Sequence, residues 1–157
     1  MRQVIASRIT IVAVYALAMG YLEAVVVYYI RYSLGDVHAA GSLSSSLTGR
    51  FPWAIEMTRE VATLIMLATV AVLAGRDWRR RAAALLWAFA IWDATYYLGL
   101  VLLAQWPSSL ATQDVYFLLP VPWGGPVWVP LLADVLMVIL AGWLVAGRRL
   151  ATQAVRR

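Results

Sequence analysis

An all-α membrane protein of four transmembrane helices is the fold class this sequence predicts, and three observations predict it. The 157 residues are 63% hydrophobic and 13% charged, far more apolar than a soluble domain, whose apolar share is roughly half. The apolar residues gather into four runs of about 20 residues, the length that crosses a hydrocarbon core of roughly 30 Å at about 1.5 Å per residue. The basic residues, all arginine, cluster at the ends of those runs, where they orient membrane proteins. The expected architecture is a single domain over 1–157, with helices at about 9–31, 54–75, 82–104 and 127–146 in an antiparallel bundle. A short interfacial or re-entrant helix is expected at about 108–119.

Each element has its own warrant. Arg2 and Arg8 precede the first run, Ile9 to Ile30. Ala16-Leu17-Ala18 has the look of a signal cleavage site, but the apolar run continues well past Ala18, where a signal's apolar core ends. Tyr28, Tyr29 and Tyr32 close this helix in an aromatic belt, and a Gly/Ser-rich loop from Ser33 to Arg50 follows, carrying Asp36 and the single histidine, His38. Phe51-Pro52-Trp53 starts the second helix, with proline in its first turn and tryptophan at the interface. Gly75 ends it, before the basic turn Arg76-Asp77-Trp78-Arg79-Arg80-Arg81. The third helix stops at Gln105-Trp106-Pro107. Ser108 or Ser109 can cap the short helix that follows, whose Leu110, Phe117 and Leu118 would meet the membrane surface. Pro120, Pro122, Pro126 and Gly124-Gly125 exclude regular helix beyond it. The fourth helix is followed by Arg148, Arg149, Arg156 and Arg157.

The arginines also predict orientation. Those at the termini and in the 76–81 turn far outnumber Arg31, Arg50 and Arg59 on the other side, which predicts cytoplasmic termini in a bacterial inner membrane. For the same reason the net charge of +5 is not a nucleic-acid signature. With no cysteine, disulfides, thiol catalysis and Cys-ligated metals are excluded, and one histidine per chain excludes a His-rich metal site. No nucleotide loop or haem ligand set is visible, so no cofactor is expected.

Polar residues inside the apolar runs point to a site. Glu56, Arg59, Glu60 and Thr63 fall at i, i+3, i+4 and i+7, one stripe of the second helix. A charge at the centre of a bilayer costs roughly 2.5–3.5 kcal/mol even on the lenient insertion scale, so such a stripe must face protein or water. Glu23 on the first helix, Asp93 on the third and Asp134 on the fourth lie at comparable depth, Asp93 deepest. Tyr96 and Tyr97, at i+3 and i+4 from Asp93, place phenol donors beside it. The carboxylates outnumber Arg59, so the excess must be solvated, protonated or matched by a bound cation. Glu56 also suits a dipole-favoured helix-start acid. The expectation is an outward-opening pocket of Glu23, Glu56, Arg59, Glu60, Asp93, Tyr96, Tyr97 and Asp134, covered by the 110–126 segment. Such a pocket would bind or move a cation, a proton or a small polar molecule. A small structural subunit of a larger membrane complex, or a homo-oligomer, is the alternative.

The segments Trp92-Asp93-Ala94-Thr95-Tyr96-Tyr97, Trp106-Pro107-Ser108-Ser109-Leu110 with Thr112 and Asp114, and Phe117-Leu118-Leu119-Pro120-Val121-Pro122-Trp123 resemble a pattern found in uncharacterised bacterial four-helix inner-membrane proteins. The likeness runs from about Glu56 to Pro130 and implies no activity. Gln113-Asp114-Val115-Tyr116-Phe117 and then Leu132-Ala133-Asp134 are similar, more weakly, to the two aspartate motifs of lipoprotein signal peptidase, also a four-helix protein with cytoplasmic termini. That resemblance implies an intramembrane aspartyl peptidase with Asp114 and Asp134 as catalytic dyad, one ionised and one protonated, activating water against a peptide bond. The family's asparagine before its second aspartate falls at Pro130 or Leu131 here, and its upstream Asn and Asp-Arg elements are missing. Glu23 is similar to the membrane-embedded glutamate of small multidrug transporters, whose chains are shorter and have tighter loops.

Overall fold

The computed structural model describes residues 2–33, Gly35 and 53–154, with side chains described over 8–33, 35 and 53–146. Asp36, His38, Arg50, Phe51 and Pro52 lie outside the described residues, as do the side chains of Arg2, Arg148, Arg149, Arg156 and Arg157. The order is α1 (Arg2–Ser33), α2 (Trp53–Ala74), α3 (Trp78–Ala104), β1 (Gln113–Phe117), β2 (Trp123–Pro126) and α4 (Trp128–Ala154). All four helices are long and apolar enough to cross a membrane, in the order and close to the places the hydropathy of the sequence predicts.

α3 is the hub. It packs most extensively on α1, then on α4 and α2, whereas α1 and α2 meet over a shorter stretch. The α1–α3 seam is close because small residues line it: Ala16, Gly20 and Ala24, one turn apart on α1, are buried. A Cβ on Gly20 would run into the Trp92 carbonyl oxygen and lie 2.8 Å from Thr95 Cβ, so only glycine permits this approach. α4 is attached along one narrow seam, with Val127, Asp134 and Ala141 buried on it while Leu132, Val135, Leu136, Ile139 and Trp143 are exposed. Such an apolar outer face suits contact with lipid.

The helix ends follow their residues. Asp77 caps α3 by accepting from the Arg80 N–H at 3.2 Å. At the other end Gln105 takes the left-handed conformation (φ 52°, ψ 33°), and its N–H returns to the Val101 carbonyl at 3.1 Å. This reversal folds Trp106 back beneath the helix end, where it is 2% exposed.

The segment after it corrects the sequence expectation. The short helix at 108–119 does not form; β1 and β2 pair as an antiparallel hairpin instead, with Asp114 opposite Gly125, Phe117 opposite Trp123, and a register irregularity between Val115 and Phe117. Ser109 does not cap a helix: its N–H bonds the Thr112 hydroxyl at 3.1 Å, closing a turn. Val115-Tyr116-Phe117 is β-branched and aromatic, as strands prefer. Gly124 allows the strands to meet, since a Cβ there would strike the Asp114 carbonyl oxygen.

The hairpin reaches inward along the bundle. The Phe117 ring lies 6.1 Å from that of Phe89 and 6.5 Å from that of Trp92, centroid to centroid. Phe89 precedes the end of α3 at Ala104 by fifteen residues, about 22 Å along the axis. The segment therefore folds back along α3 rather than lying across the end of the bundle. It leads directly into α4 and reaches across to α2, where the Leu118 N–H donates to Glu60 Oε2 at 3.0 Å. Backbone at membrane depth is tolerated where its polar groups are satisfied. Pro120, Pro122 and Pro126 carry no N–H, so this hairpin has fewer donors to satisfy.

Candidate functional site

The buried polar and charged residues Glu56, Glu60, Thr63, Asp93, Asp114 and Asp134 all lie in the half of the bundle that holds the hairpin or, for Asp93, at its middle. All eight residues the sequence singles out fall in this region, but the structure divides them into two groups.

The first group joins α1, α2 and the hairpin. The Arg59 guanidinium forms ion pairs with Glu23 of α1 and with Glu56, its Nε donating to Glu56 Oε2 at 2.8 Å. The Thr63 hydroxyl donates to Glu23 Oε2 at 3.3 Å. Glu60 takes the Leu118 N–H, and its Oε1 is buried with no partner among the described residues. The polar stripe of α2 is thus spent inside the chain, on α1 and on the hairpin. Glu56 is more than a solvated helix-start acid, since it is buried and shares Arg59.

The second group joins α3, α4 and the hairpin. The carboxyls of Asp93 and Asp134 lie close enough on α3 and α4 to interact directly. Two carboxyl groups can bond to each other only by sharing a proton, which is also how neighbouring buried acids relieve their repulsion. Asp93 Oδ2 and both Asp134 oxygens are buried with no hydrogen-bond partner among the described residues. One turn further along α3, the Tyr97 hydroxyl donates to Asp114 Oδ2 at 2.8 Å. Burial pushes the Asp114 carboxyl up to about 6, while the Tyr97 hydroxyl, the Arg31 charge and the Val115 N–H act to hold it down. Tyr96 stands between the groups, its phenol within electrostatic range of Asp114, Arg31, Asp93 and Arg59.

Asp134 lies beside Asp93 and Asp114 bonds Tyr97, whereas the peptidase resemblance implies Asp114 and Asp134 as the dyad. Arg31, which the sequence presents as an orientation charge among belt tyrosines, also enters the site: its Cζ lies 4.1 Å from the Trp106 ring centroid. The signal for it was its place on the arginine-poor side of the chain.

Six carboxylates (Glu23, Glu56, Glu60, Asp93, Asp114, Asp134) therefore share this region with two guanidiniums, Arg31 and Arg59. Among the described residues, no three His, Asp or Glu side chains are arranged to hold a metal ion. What the arrangement can do is take up and give up protons, and hold positive charge against a fixed excess of acid. Fold and site thus define a bundle of four helices long and apolar enough to cross a membrane, with an acid-rich interior against which a hairpin packs. Comparison with family models, curated proteins and solved structures returned no match.

Proposed function

We propose that this chain is a multi-pass bacterial inner-membrane protein with cytoplasmic termini, in which the Asp93–Asp134 pair holds a proton and exchanges it for a cation or a cationic small molecule arriving from the hairpin side. The juxtaposition of these two buried carboxyls, with Asp93 Oδ2 and both Asp134 oxygens lacking a hydrogen-bond partner among the described residues, is the observation that carries the reading. A proton shared between two acids can be replaced by another single positive charge without changing the net charge of the interior. Burial of both side chains makes that balance matter, because an uncompensated charge there is costly. Asp114 and Tyr97 extend the polar groups from the pair toward the hairpin.

The test is proton release from purified protein in weakly buffered detergent on addition of sodium or of tetraphenylphosphonium. Release from the wild type, its loss in Asp93→Asn and Asp134→Asn, and its retention in Glu56→Gln are expected. Equal, negligible effects of Asp93→Asn and Glu56→Gln would remove the proposal.

The same contact favours one second reading. Two carboxyls sharing a proton form the arrangement that activates water in aspartic proteases. In a peptidase built on this fold the dyad would be Asp93 and Asp134, and both Asn variants would abolish cleavage of a membrane-anchored peptide while leaving the bundle folded. In a structural subunit of a larger complex the partner would meet other surfaces than the α2 stripe, since Arg59, Glu56 and Glu60 are engaged within the chain.

A further inference from the structure

Arg31 and Trp106 stand apart from the acid pair and have no part in the exchange proposed above. Arg31 lies in the last turn of α1, and Trp106 just past the end of α3, so both sit at the hairpin end of the membrane-crossing helices. The guanidinium stacks on the indole, and the indole stacks in turn on Tyr97, with centroids 6.4 Å apart and an interplanar angle of 28°. Stacking fixes the guanidinium plane and leaves its N–H edge to recognise a planar or tetrahedral oxyanion. On that edge Arg31 Nη1 is buried with no hydrogen-bond partner among the described residues, and so is Trp106 Nε1. Buried donors without acceptors are rare, and here two belong to groups in direct contact. Asp114, which lies within electrostatic range of Arg31, does not close the gap, since it is held by the Tyr97 hydroxyl and the Val115 N–H and forms no ion pair with Arg31 among the described residues.

We infer that Arg31 and Trp106 form a binding site for a phosphate-type oxyanion, whose oxygens accept from Arg31 Nη1 and Trp106 Nε1. A guanidinium held at the end of a membrane-crossing helix is at the level where phospholipid phosphates lie, so a lipid headgroup and a free phosphate are two sources of the same chemistry.

The experiment titrates delipidated full-length protein with dioctanoyl phosphatidylglycerol, with inorganic phosphate and with uncharged dioctanoylglycerol, reading bound mass by native mass spectrometry. Wild type should bind a phosphate-bearing probe roughly tenfold or more tightly than Arg31→Gln, the loss of a charged hydrogen bond. Trp106→Phe keeps an aromatic surface and loses the indole N–H, and should weaken binding by a smaller factor. If the phospholipid alone shows the difference, the site holds a headgroup; if inorganic phosphate shows it too, the site takes free oxyanion. Binding of both phosphate probes to both variants at wild-type strength overturns the assignment, as does equal wild-type affinity for dioctanoylglycerol and phosphatidylglycerol. Should Arg31→Gln fail to fold, Trp106→Phe carries the same comparison.

Discussion

Removing one hydroxyl, in Tyr97→Phe, tests how the hairpin is held against the bundle. The Tyr97 hydroxyl donates to Asp114 Oδ2 at 2.8 Å, and Asp114 is 8% exposed, so water cannot readily take its place. The Asp114 carboxyl is pushed up to about 6 by burial, with this hydrogen bond the largest effect opposing that rise. A hydrogen bond to a charged acceptor is worth about 1.5–3 kcal/mol, and about 1.4 kcal/mol corresponds to one pH unit. Losing it moves the Asp114 midpoint from about 6 to roughly 7–8.

The sign for stability follows from the same shift. Asp114 binds its proton more tightly in the folded chain than in an open one, where the ordinary value is about 4. Its contribution to holding the hairpin is therefore fully present below about pH 4 and is lost as pH rises through about 6. In Tyr97→Phe the loss continues to roughly pH 7–8. An infrared pH titration that follows the protonated-carboxyl band removed by Asp114→Asn reads the midpoint directly. A Tyr97→Phe midpoint equal to or below that of the wild type would refute the reasoning, because the bond would then not be favouring the ionised carboxyl.

Two further predictions concern packing and charge. Arg59→Met leaves Glu23 and Glu56 without their shared counter-charge, and unfolding by dodecyl sulfate should come earlier by roughly 3–5 kcal/mol. Adding Glu23→Gln to that variant should recover part of the loss, and no recovery would mean the three do not act as a unit. Gly20→Ala forces α1 away from the Trp92 carbonyl and should cost about 1–3 kcal/mol. Gly142→Ala, where a Cβ meets nothing within 4 Å, should be close to neutral. Similar behaviour of the two glycine variants in the same unfolding assay would contradict the close α1–α3 approach.

The helices were legible because membrane-crossing length and apolar content leave few alternatives, and Asp77, Gly75 and Pro107 mark their limits. The stripe of Ala16, Gly20 and Ala24 was equally open to reading, as small residues at four-residue spacing. The hairpin was not, because its residues satisfy both periods: Leu110, Phe117 and Leu118 share a helical face, while Val115 and Phe117 alternate with Asp114 and Tyr116 as a strand requires. Pairing across the strands, with Gly124 and Gly125 opposite Val115 and Asp114, is a long-range choice that local pattern does not contain. Depth along each helix was enough to bring the polar residues into one half of the bundle. It was silent on rotation about each axis, and rotation is what gives Asp134 to Asp93 and gives Asp114 to Tyr97.

The single seam by which α4 is held bears on how this helix finds its place. Val127, Leu131 and Ala141 along that seam are aliphatic and would pack almost as well one turn higher or lower, a slip of about 5.4 Å. Asp134 is the exception. Unpaired against lipid it would cost roughly 2.5–3.5 kcal/mol, and meeting Asp93 relieves that cost in one alignment of α4 on α3. The acid pair thus serves as a register pin for α4, much as a lone polar residue fixes alignment in a coiled coil.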